Sequence, residues 1–336
     1  MRCIDTGTTV WSTIRAGVAA CLFAATLTGG ERIEALEPHM GTMFRIVLYA
    51  DDPVKAHTAI RAAFDRVSDL DGKLSDYNPD SELNRVCTTA VNRDVPISED
   101  LYSVLKVSQS LADRTDGACD VTLGPLIRVW RVARQARVLP TPDEIAGALS
   151  RSGYRKLHLG THTVRLDMPG MQLDLGAIAK GYAADEGLRV LREHGFPQAL
   201  VAASGDIAFG DAPPGKAGWD AGVDSLNAPN GSFTEVLQLH NSAISTSGDT
   251  EQFAELGGVR YSHIVNPATG KGLTMRVGVT VIAKKGIDSD GLSTAVSVIC
   301  EQHGPEAALA LIEKAGARGI VIVEAAGQWK KYETPQ

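Results

Sequence analysis

Apolar and polar positions change period several times along the chain, and each change marks an element. Residues 42–50, TMFRIVLYA, fit a strand, and residues 54–71 fit an amphipathic helix. A second helix is marked by Leu101, Val104, Leu105, Ser108, Leu111 and Ala112, which fall at i, i+3, i+4 spacing on one face. TPDEIAGAL, 141–149, predicts a short helix with Thr141 as its cap and Pro142 in its first turn. Strands are expected at 163–167, 172–175, 198–203, 234–246, 259–265, 276–283 and 318–324, and helices at 177–194, 290–302 and 304–315. Strands and helices do not alternate regularly, so the pattern favours an α+β fold with mixed, mainly antiparallel sheets flanked by helices over a doubly wound sheet. The turn-rich stretches 210–219 and 225–232 read as exposed hairpin loops.

Composition narrows the class. The chain has 336 residues, 44% of them hydrophobic, with no repeat or long linker after residue 38, which suits one continuous catalytic unit. Forty acidic against 33 basic residues give a net charge of −7 without long runs of either sign, so no nucleic-acid footprint is present. Five scattered cysteines without a C-x-x-C pair argue against a disulfide framework or a zinc site. Residues 1–30 differ from the rest: Arg2 and Arg15 precede the apolar run AGVAACLFAATLTGG, which reads as an export signal or a disordered leader. VAAC, ending at Cys21, also has the form of a lipid attachment site and so of a membrane anchor. Residues 326–336 read as a C-terminal tail.

Candidate chemistry lies in a few short stretches. In GIDSDGLSTAVSVIC, 286–300, Asp290 and Thr294 are four apart where a helix is expected to begin, and so share one face of it. On these residues alone, helix capping by Asp288 or Asp290 is the simpler account of the carboxylate. In LDLGAIAKGYAADEG, 173–187, Asp174 ends a strand and Lys180 lies one turn into the next helix, facing either a ligand or each other as a surface ion pair. ASGDIAFG, 203–210, is a glycine turn that permits close backbone approach, and ISTSGDTEQF, 244–253, is a loop rich in hydroxyl donors. His263, in YSHIVNPATG, is the one histidine set in an apolar strand ending at an N-P turn, and its ordinary pKa near 6.5 suits proton transfer.

Taken together, HMGTMFRI (39–46), LSDYNPDSELNRV (74–86), DGACDVTLGPLIRVW (116–130), LDLGAIAKGYAAD (173–185), SGDI (204–207), STSGD (245–249), SHIVNPATG (262–270) and DGLSTA (290–295) resemble, in order, the motifs of the ApbE family of flavin transferases. The resemblance runs from about residue 38 to 325. It implies an ApbE-like fold with a flavin site between two lobes, and transfer of the FMN half of FAD to a threonine or serine of a partner protein with release of AMP. It further implies Mg2+ held by Asp290, Thr294 and the backbone carbonyl of Ala177, all hard oxygen donors. FAD would be met by Met40, Tyr77, Ala118, Cys119, Asp120, Asp174, Lys180, Thr246, Ser247 and Ile264, with His263 as the base that accepts the hydroxyl proton. Family enzymes act outside the cytoplasmic membrane on subunits of membrane redox complexes, in keeping with an exported, periplasmic or inner-membrane-associated protein.

The chain also departs from the family pattern. Cys119 replaces an aromatic residue, Asn266 an aspartate after the histidine, and Ser204 a second glycine. WRVARQARVLP, 130–140, lacks the glycine-aromatic-glycine continuation after its tryptophan. The same residues would also serve a Mg2+-dependent FAD pyrophosphatase, in which water replaces the alcohol, or a non-catalytic flavin-binding protein.

Overall fold

A computed structural model of the chain describes residues 30–224, 233–248, 252–325 and 328–335. Eight strands build its main sheet: β1 (Glu31–His39), β2 (Thr42–Ala50), β3 (Ala199–Ala203), β4 (Asp206–Phe209), β5 (Ser242–Gly248), β6 (Val277–Ala283), β7 (Arg318–Ala325) and β8 (Gln328–Glu333). They lie side by side in chain order, every neighbouring pair antiparallel. The sheet therefore reaches past the motif-bearing span at both ends, since residues 31–37 and 328–333 pair into it. Residues 1–29 of the expected leader, 1–30, lie outside the described residues.

Strand alternation assigns the two faces. In β2, Phe44, Ile46, Leu48 and Ala50 point to a core shared with helices, while Val47 and Tyr49 point the other way. The helical side carries α1 (Pro53–Leu74), α6 (Ala179–Glu193), α7 (Gly286–His303) and α8 (Pro305–Lys314). On the other face, the hairpin Trp219–Asp224 with Phe233–Leu239 packs Trp219, Ala221 and Leu239 against Leu200, Phe209 and Ile282. The strand expected at 234–246 is thus two strands in different sheets, turning at Asn241 (φ 45°). Residues 225–232, the expected hairpin loop, lie outside the described residues.

A second lobe is inserted between α1 and α6. It contains α2 (Glu82–Thr89), α3 (Glu99–Arg114), α4 (Gly124–Ala136), α5 (Pro142–Ser150) and a small sheet of Val95–Pro96, Thr163–Leu166 and Leu157–Leu159. The helical periodicity of 101–112 is matched by burial of all six residues that defined it. On α5, Thr141 and Glu144 form a reciprocal capping box. Residues 172–175 are not a strand; only a single bridge joins Gln172 to Leu123. Trp130 fixes α4 to the segment after His263 by donating from its indole Nε1 to the Gly270 carbonyl at 2.8 Å.

Candidate active site

The site is built on two helix starts that meet back to back. Helix α7 begins at Gly286, four residues earlier than its apolar pattern suggests, so Asp290 lies in its second turn and caps nothing in its own helix. Its first amides belong to another helix: Asp185 of α6 accepts from Gly286 N at 2.7 Å and Ile287 N at 3.1 Å. In return Asp290 Oδ2 accepts from Gly181 N, in the first turn of α6, at 2.9 Å. The local sequences are Lys180-Gly181-x-x-x-Asp185 and Lys285-Gly286-x-x-x-Asp290, one pattern used twice. Both glycines are required by the crossing, since a Cβ on Gly181 would lie 2.1 Å from the Gly286 carbonyl oxygen and one on Gly286 2.4 Å from that of Gly181.

This crossing brings Asp290 to the Ala177 end of α6. In a regular helix Gly181 N–H would bond to the Ala177 carbonyl; here Asp290 takes that hydrogen, and no backbone hydrogen bond among the described residues ends on the Ala177 oxygen. Asp290 is buried; its Oδ2 accepts from Gly181 N and lies 3.8 Å from Lys180 Nζ, and its side chain also meets the Asp206 carboxylate. Lys180 also bonds Asp206, which opens β4. Burial and the Asp206 carboxylate push Asp290 up to about 7, against the pull of Lys180 and the Gly181 amide. Burial disfavours the charge of Lys180, yet Asp290 and Asp206 more than offset it and raise its pKa. Two carboxylates around one ammonium leave a net negative, oxygen-lined site. Asp290 Oδ1, Thr294 one turn on and the Ala177 carbonyl are hard donors of the type Mg2+ prefers, so the donor set fits that ion. Among the described residues no cluster of three or more His, Cys, Asp and Glu side chains offers a softer alternative.

The alternative of an ion pair between Asp174 and Lys180 is not realised; each residue has other partners. Asp174 Oδ2 accepts from Arg131 Nη2 at 2.7 Å, while Lys180 goes to Asp206 and Asp290. The opposite fates of Thr246 and Ser247 follow from strand alternation. Ser245 and Ser247 turn toward α7, with hydroxyl contacts to Ser289 at 2.8 Å and Ser293 at 2.6 Å, whereas Thr246 turns to the far face and meets Thr280 at 3.1 Å.

The remaining expected ligand residues lie in the first hairpin, in the second lobe and, for Ile264, in the segment after β5. Met40 holds a left-handed backbone (φ 48°) in the β1–β2 turn, its amide donating to Asp71 Oδ2 at 2.9 Å. Tyr77 is exposed, with the Arg131 guanidinium 4.2 Å from its ring centre. Ala118 and Ile264 pack in one small cluster with Leu273 and Val298. Cys119 is buried among Leu111, Val277 and Leu292, where burial and the charges of Asp120 and Asp290 push its thiol up to about 12. It is therefore an inert apolar residue. The Asp120 carboxylate is already engaged by Thr122 N, Thr122 Oγ1 and Tyr154 N at 2.7–2.8 Å.

His263 does not lie within a strand; it occupies the break between Val259–Ser262 and Val265–Asn266. Its Nδ1 meets the Gln252 carbonyl at 3.1 Å. A carbonyl only accepts, so in this contact Nδ1 carries the proton. Asn266 serves its turn, accepting from Ala268 N and Gln302 Nε2, both at 3.0 Å. Sequence reasoning singled out neither Asp206 nor Asp185 nor Arg131. The repeated Lys-Gly-x-x-x-Asp pattern was a legible signal for Asp185; the partners of Asp206 and Arg131 are far away in sequence.

An antiparallel sheet flanked by helices, with one oxygen-lined polar site where two helix starts cross, defines an α+β protein of enzyme type. The model of the ApbE family matches residues 40–321, and the chain belongs to that family. It is 31% identical over 309 residues to the FAD:protein FMN transferase of Klebsiella pneumoniae, covering 88% of this chain and 86% of the relative. The solved flavin transferase ApbE of Vibrio cholerae superposes with a TM-score of 0.79 at 30% identity, over 90% of this chain and 97% of that one. The ApbE protein of Thermotoga maritima gives a TM-score of 0.81 at 28% identity, over 90% and 97%.

Proposed function

We propose that this chain transfers FMN from FAD to a threonine or serine hydroxyl of an acceptor protein, with Mg2+ at the crossing of α6 and α7. The observation that carries the reading is the hydrogen bond from Gly181 to Asp290, which joins the Ala177 segment to the helix bearing Asp290 and Thr294 although they are far apart in sequence. Those three residues would hold the ion, which supplies charge neutralisation for the diphosphate. The acceptor hydroxyl oxygen attacks the FMN phosphorus as the anhydride P–O bond breaks and AMP leaves. His263 Nε2 takes the hydroxyl proton, its tautomer set by the Gln252 carbonyl. Lys180, held between Asp206 and Asp290, keeps its charge and limits repulsion between those carboxylates and the incoming phosphates. The acceptor belongs to a membrane redox complex and the chain acts after export, as its first 30 residues suggest. No helix among the described residues is long and apolar enough to cross a membrane.

The test combines purified chain, FAD and Mg2+ with candidate acceptor domains and reads a covalent FMN adduct and AMP by mass spectrometry. Adduct formation supports transfer; AMP and FMN free in solution, with no adduct on any acceptor, would instead mark a pyrophosphatase. His263→Ala is expected to transfer FMN on the order of 10²-fold more slowly while still binding FAD.

A further inference from the structure

Arg131 stands where the chain leaves the family pattern after its tryptophan, and its contacts are unusually complete. The guanidinium bonds Asp76 through Nη1 and Asp174 Oδ2 through Nη2 at 2.7 Å, and its carbon lies 4.2 Å from the centre of the Tyr77 ring. Asp174 is itself fixed, its Oδ1 accepting from Gly176 N at 2.9 Å one residue before Ala177. Tyr77 is 73% exposed although one face carries the guanidinium, so its other face is open. A solvent-exposed tyrosine normally loses rotamer freedom when a ring stacks on it. Here the loss is already incurred, because a planar cation anchored at two points holds the phenol in place. Two carboxylates also neutralise that cation, so Arg131 offers its plane rather than a phosphate-binding charge.

From this geometry we infer that Arg131 is a positioning residue, which presents Tyr77 as a preorganised stacking wall for a planar heteroaromatic ring of the dinucleotide. The inference rests on FAD being the substrate. The resulting order is guanidinium, phenol, ligand ring, and the ring is either isoalloxazine or adenine. Lysine does not substitute, since an ammonium neither stacks flat nor bridges two carboxylates in one plane.

The test titrates the full chain, with Mg2+, against FMN by flavin fluorescence and against AMP by calorimetry. If isoalloxazine stacks, FMN is quenched on binding, and Arg131→Met weakens FMN about tenfold with loss of quenching while AMP is unaffected. If adenine stacks, the tenfold loss appears with AMP. In either case Arg131→Lys behaves like Arg131→Met, and Arg131→Met adds nothing further in a Tyr77→Ala background. Circular dichroism checks that each variant is folded, and Tyr77→Ala alone, which must weaken the same ligand, serves if Arg131→Met is not. Affinities of Arg131→Met within twofold of the wild type for both ligands, or an undiminished effect in the Tyr77→Ala background, overturn the inference and leave flavin transfer standing. A wild-type chain that binds neither FAD, FMN nor AMP overturns both.

Discussion

Asp185 and Asp290 occupy equivalent places in the two crossing helices, each four residues after a glycine and each accepting amide hydrogens from the start of the other helix. Their surroundings separate them. Asp185 uses both oxygens on two amides, and burial pushes it up to about 6 in spite of them. Asp290 accepts one amide through Oδ2, shares that oxygen with Lys180, and faces a second carboxylate, Asp206, at its back. One aspartate spends both oxygens on amides; the other shares its surroundings with an ammonium and a second carboxylate. The same Lys-Gly-x-x-x-Asp pattern therefore gives a cap in one place and the proposed ion site in the other, and the difference lies in what the neighbouring strand β4 contributes.

The comparison breaks most completely at the glycines. Gly286→Ala places a methyl 2.4 Å from a backbone oxygen that has no side chain to swing away; a loss of about 3 kcal/mol or more is expected in urea unfolding, with FMN transfer lost as well. Asp290→Asn then separates charge from capping. An amide oxygen can still accept from Gly181, so stability should change by about 1 kcal/mol or less, while transfer falls on the order of 10²-fold or more. Transfer at the wild-type rate would reduce Asp290 to a cap.

Asp185→Ala should do the reverse, losing about 1–2 kcal/mol of stability with transfer within a fewfold of wild type. Its pH dependence sharpens the contrast. The folded pKa, about 6, is above the ordinary aspartate value of 3.8, so between those values the folded state binds the extra proton and stability falls as pH rises. In Asp185→Asn this component is absent, so the advantage of the wild type over the variant should shrink between pH 4 and pH 6, as urea unfolding at several pH values would show. The smallest effect is expected beside Asp206. Ser204 has φ 58° as the first residue of the two-residue turn between β3 and β4, a position that favours glycine. Ser204→Gly should raise stability by about 1 kcal/mol, read as a higher unfolding midpoint.

Much of the fold was legible because local periodicity encodes it. The face of α3, the capping box of α5 and the strands around 42–50 and 277–283 all follow from which residues repeat at helical or strand spacing. The start of α7 was misplaced because the helix is buried nearly all round, with Ser289, Ser293 and Ser297 among its buried residues, so no polar stripe marks its first turn. The 234–246 segment read as one strand because two strands joined by a two-residue turn look continuous in hydropathy. Among the candidate site residues, Asp290, Thr294 and Lys180 were marked by their places on the expected helices, and motif resemblance added Ala177 and the role of each.

The sequence by itself determined the identity and spacing of the oxygen and nitrogen donors, the helical face that Asp290 shares with Thr294, and family membership through motifs in fixed order. Tertiary structure decided their partners: Lys180 with Asp206 instead of Asp174, Asp174 with Arg131, and Asp290 with an amide 109 residues away. The physical reason is that hydrogen bonds and charges act over a few ångströms in space, so a donor's partner is chosen by which backbones pack together. Here that packing turns on two glycines whose missing side chains let α6 and α7 touch.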